Sequence, residues 1–88
     1  MASIQNLKKN IHYTLGDIID LAMTWEDFNP EKDKAPAQAI IDEAIASFDV
    51  LMTRVNAKNV ENKKAHYKGI AQDLETQAMD MVNKLNQL

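Results

Sequence analysis

The sequence predicts an all-α protein, an antiparallel up-down-up three-helix bundle. Apolar residues recur every three or four positions through three long stretches, and nowhere does apolar alternate with polar over the length of a strand. Only two Gly and two Pro occur in 88 residues, too little turn material for a sandwich or barrel of many short strands. A chain of this length fills one core, so residues 1–88 form one domain. With 45% hydrophobic and 26% charged residues and a net charge of −3, the composition is that of a folded chain.

The first helix is predicted over about residues 3–28. Ser3 is a fair N-cap, and Ile4, Leu7, Ile11, Thr14, Ile18, Leu21, Trp25 and Phe28 then form a stripe. The helix ends before Pro30, because Pro pushes the preceding Asn29 out of the α region and cannot donate the next helical bond. Trp25 is expected to be a large core side chain closing the bundle beside the Pro30–Pro36 connection.

The second helix is predicted over 34–56, with Asp33 as N-cap and Pro36 in the first turn, where its missing N–H is not needed. Its stripe is Ile41, Ala44, Ile45, Phe48, Leu51, Met52 and Val55. Asn59 is expected to cap a third helix over 60–86, striped by Val60, Tyr67, Ile70, Ala71, Leu74, Ala78, Met81 and Leu85. Asp80 and Lys84 are ordered to form a supporting ion pair. Short connections between long helices favour antiparallel neighbours, hence the up-down-up arrangement.

Charge and composition narrow the function classes. No Cys is present, so there is no disulfide framework, thiolate zinc site or cysteine nucleophile. The longest apolar run has four or fewer residues, and nothing apolar and basic opens the chain, so a cytoplasmic protein with no membrane partner is expected. Nucleic acid is not the expected partner, because phosphate neutralisation requires a strongly basic face. The nearest approach to one is Lys58, Lys63, Lys64 and Lys68, with a single Arg, Arg54, elsewhere, and weak nucleic-acid binding through that face stands as an alternative reading.

Helix one carries more apolar residues than one stripe needs. Leu15, Ile19 and Met23 widen the apolar surface, with Tyr13 and Gly16 nearby, and Met79 and Val82 are the matching candidates on helix three. These seven residues form the candidate association surface, for a homodimer or another protein. A small core supplies only about 3 to 5 kcal/mol, which makes self-association a useful supplement. Gly16 and Gly69 both fall inside helices at a cost of about 1 kcal/mol each, so a close backbone approach is one explanation and tolerated placement the other.

The run Ala65-His66-Tyr67-Lys68-Gly69 resembles the phosphoacceptor motif of histidine-phosphotransfer domains, which are also helical bundles. The resemblance covers about five residues and implies His66 as an alternative phosphoacceptor. In that family Lys and Gly follow the His by three and four positions; here each comes one earlier, which turns Lys68 about 200° around the helix from His66. Asp27, Asn29, Glu31 and Asp33 follow the alternate spacing of a calcium loop, but Lys32 replaces its Gly and Gln38 its bidentate Glu. Lys9 and Lys63 stand where a di-metal bundle would need Glu three before His12 and His66. No metal, cofactor, small-molecule substrate or catalytic residue is therefore expected, and the function class is association.

Overall fold

Residues 4–88 are described by a computed structural model, and the proposed cap Ser3 lies outside them. Three helices appear in order, α1 (Ile4–Phe28), α2 (Ala35–Val55) and α3 (Lys63–Asn86). They pack as a three-helix bundle 51 Å long and 20 by 17 Å across. Early α2 meets late α3 where Lys84 Nζ lies 3.0 Å from a Glu43 carboxylate oxygen, and late α2 meets early α3 where His66 Nε2 lies 2.6 Å from the Arg54 carbonyl. The two helices are antiparallel. The His12 ring, in the first half of α1, lies 5.8 Å from that of Phe48, in the second half of α2, so α1 and α3 run the same way.

The ends of the helices follow local chemistry. The Asn29 side-chain amide donates to the Trp25 carbonyl at 2.9 Å and closes α1 ahead of Pro30. Asp33 does bond the start of α2, accepting the Ala35 N–H at 3.0 Å, although the cap position itself is Lys34. Pro36, the second residue of the helix, supplies a fixed φ without removing a needed donor. The start of α3 differs from expectation. Asn59 has φ 63°, the left-handed region, whereas an N-cap needs extended backbone. Asn62 takes that role at φ −123°, accepting the Ala65 N–H at 3.1 Å, and Val60 stays outside the helix.

The core is formed by Leu7, Ile11, Leu15 and Ile18 of α1, Ile40, Ala44, Leu51 and Val55 of α2, and Ile70, Leu74, Ala78 and Met81 of α3. Leu15 belongs to it at 1% exposure, which removes it from the candidate association surface. Leu21 and Phe28, expected in the α1 stripe, are instead 55% and 80% exposed. The reason is helical phase. A strict heptad pattern drifts by about 20° per seven residues on a straight helix. The buried line therefore steps across to Leu15 and Ala22 and leaves Leu21 and Phe28 outside. In α2 the same selection buries Ile40 and leaves Ile45 half exposed, and in α3 Ala71 is exposed.

Candidate functional site

Helix phase separates the predicted association residues into different places. His12, Ile19 and Met23 lie seven and four residues apart, on one side of α1, and the His12–Phe48 contact turns that side toward α2. Ile19 is half-buried against the core there and Met23 is exposed. Tyr13, 61% exposed, and Gly16 occupy the outer side of α1. Met79 and Val82 face the other way, across a groove toward α1. The seven residues are therefore not one patch.

A different set is. The groove between α1 and α3, about 490 Å³, is walled by Leu7, Asn10 and Thr14 on one side and by Ala71, Leu74, Glu75, Ala78, Met79 and Val82 on the other. Met79 is 61% and Val82 38% exposed at its rim. Along α1 the residues Asn10, Thr14, Asp17, Leu21 and Phe28 recur at intervals of three, four or seven and so share a face. Along α3 the residues Lys64, Lys68, Ala71, Glu75, Met79 and Val82 do the same. Sequence reasoning assigned Leu21 and Phe28 to the core; only the phase of α1 in the bundle brings them out to this side.

A second groove, about 740 Å³, lies toward the other end of the bundle, where Trp25, Pro36, Ala39, Ile40 and Leu88 line it with Lys32, Asp33, Glu43, Lys84 and Gln87. Trp25 is thus a half-buried groove wall and not a core side chain. Its cation Lys84 is engaged: hydrogen bonds from its ammonium to Glu43 and then Asp80 raise its pKa above the ordinary lysine value. The predicted Asp80–Lys84 pair is present at 3.2 Å.

A carbonyl can only accept, so the His66 Nε2–H donates to Arg54, whose carbonyl also takes the Ala57 N–H. The imidazole thereby ties the start of α3 to the end of α2. Lys58, Lys63, Lys64 and Lys68 are all exposed around that end, Lys63 and Lys64 in the first turn of α3. Neither glycine permits a close backbone approach. A Cβ on Gly16 would meet nothing within 4 Å, and one on Gly69 only an Arg54 guanidinium nitrogen at 3.9 Å. Among the described residues no three His, Cys, Asp or Glu side chains are grouped to hold a metal ion, and no helix is long and apolar enough to cross a membrane.

Compared with protein-family models, curated proteins and solved structures, the chain matches none.

Proposed function

We propose that this chain is a non-catalytic helical module that acts in the cytoplasm by pairing with a second copy of itself through the α1/α3 side. The observation that carries this reading is the exposure of Met79 and Val82 on the rim of the apolar groove, with Leu21 and Phe28 uncovered on the matching face of α1. Large apolar side chains that gather at a groove, and are not scattered singly, are what an association site presents. Size supports it as well. A molecule 51 Å long and 20 Å across offers along one side the surface of about 800 Å² per partner that ordinary dimers bury.

Sedimentation over a dilution series from about 1 µM to about 1 mM, the range in which modest dimers dissociate, tests the proposal. The expected result is a concentration-dependent dimer, and a Met79→Asp, Val82→Asp variant that keeps its helical content while sedimenting as a monomer. A native chain that stays monomeric throughout that range rejects it.

A further inference from the structure

The chain contains five methionines and no cysteine, so thioethers are its only sulfur. A thiol reacts with peroxide through its thiolate and is sorted by pKa, whereas a thioether has no proton to lose and is sorted by access to the sulfur. Met81 is sealed at 0% exposure and Met52 is half-buried against the core, while Met23 is 52% and Met79 61% exposed. Met1 lies outside the described residues. Met79 and Met81 stand two residues apart on α3, about 200° around the helix, which is why one is open and the other closed.

The two open thioethers occupy different surfaces. Met23 lies on the side of α1 turned toward α2. Met79 stands on the rim of the α1/α3 groove with Val82, and no other methionine among the described residues lines that groove. Hydrogen peroxide converts a thioether to a sulfoxide: a sulfur lone pair attacks one peroxide oxygen, the O–O bond breaks, and the displaced hydroxide takes the proton of the transferred oxygen and leaves as water. Sulfur loses two electrons and peroxide gains them. On an exposed side chain the new S–O group is hydrated. At the groove rim it must shed that water before the rim can meet apolar surface, and the Ala78 and Val82 side chains on the same helix offer no donor in exchange. One added oxygen turns the apolar edge polar at the place where pairing is proposed.

We infer that Met79 is a peroxide-modification site, and that its conversion to the sulfoxide releases the paired chain. This rests on the self-association proposed above and adds a means of controlling it. Pairing covers Met79 and leaves Met23 open, so oxidant reaches Met79 in the free chain, and the sulfoxide then holds the chain in that state. A sulfoxide reductase that draws two electrons from a dithiol, leaving a disulfide and water, restores the thioether and with it the pair.

The test treats the native chain and Met79→Leu with hydrogen peroxide, following oxidation by peptide mass and pairing by sedimentation, with circular dichroism confirming helical content. At about 1 µM, Met79 and Met23 are expected to gain oxygen ahead of Met81; at about 1 mM, where modest dimers are filled, Met79 is expected to fall behind Met23. The oxidised native chain is expected to pair with a Kd raised about tenfold or more, the effect of one unpartnered polar group in a contact. Met79→Leu keeps an apolar rim of similar volume, so it is expected to pair within about threefold of native and to be unchanged by peroxide. A native chain that carries the Met79 sulfoxide, keeps its helices and pairs as before overturns the inference and leaves self-association standing. So does a Met79→Leu chain that peroxide dissociates as readily as native, or a native chain that pairs while Met79 and Met23 keep the same relative rate at both concentrations. A native chain that stays monomeric before any peroxide is added removes both.

Discussion

The seam between α2 and α3 and the groove between α1 and α3 are built from different materials. The seam is laced by polar groups: Arg54 to Asp73 at 2.6 Å, Lys84 to Glu43 at 3.0 Å, and the His66 imidazole to the Arg54 carbonyl at 2.6 Å. The groove is walled chiefly by Leu, Ala, Met and Val, with Met79 and Val82 uncovered at its edge. Long polar side chains cover the rim of a helix pair and satisfy each other, so nothing more is needed outside the seam. An apolar rim has no such way to finish itself except by meeting more apolar surface. The difference teaches where a three-helix unit is complete and where it invites a fourth element.

The sharpest way to break this contrast is to compare truncations on one helix. Ile70, wholly buried in α3, should lose about 2 to 5 kcal/mol on replacement by Ala, enough to unfold much of so small a domain in a urea titration. Met79, on the same helix, should change monomer stability by no more than about 0.5 kcal/mol when truncated to Ala, while weakening association. Equal losses at the two positions would mean that Met79 is already covered in the isolated chain and that the groove is part of the core.

Much of the fold was legible because periodicity marks a helix regardless of what it packs against. Asn29-Pro30 and Pro36 bracket the first connection for reasons local to the backbone, and the helices stop and start there. Burial was less legible, since it depends on how each helix is rotated in the bundle. Leu15 and Leu21 are both leucines in one amphipathic stretch, and only the phase of α1 makes the first core and the second surface. The start of α3 is not legible from sequence because two asparagines, Asn59 and Asn62, compete for the cap. Composition does not reveal that the first adopts a left-handed turn. The candidate site shares this ambiguity: Met79 and Val82 stand out as apolar residues off the α3 stripe, whereas Leu21 and Phe28 fall on the α1 stripe by spacing and only helix phase exposes them.

On the polar seam, replacing His66 with Ala should cost about 1 kcal/mol in thermal or chemical unfolding, the net worth of one hydrogen bond with partial loss of packing against Tyr67. The Arg54 carbonyl keeps its bond from the Ala57 N–H, which limits the loss. Association should be unchanged, because the side chain lies on the seam and not on the α1/α3 side. If His66→Ala abolished dimerisation without unfolding the chain, the division between finished seam and open groove would be wrong.

The smallest effect belongs to Lys84, whose ammonium holds Glu43 across the seam and Asp80 along α3. Those hydrogen bonds raise its pKa in the folded chain above the ordinary 10.5, so folding favours the protonated form. The stability this adds is fully present below the unfolded value and fades as pH climbs through the folded one. Native protein should therefore lose a little thermal stability above about pH 10.5, and Lys84→Met should lose less over the same interval. The side chains are about half exposed and water screens them, so the difference should be small beside that of Ile70→Ala. Equal alkaline losses in the native chain and Lys84→Met would show that this bridge contributes nothing, leaving Arg54, Asp73 and His66 to hold the seam.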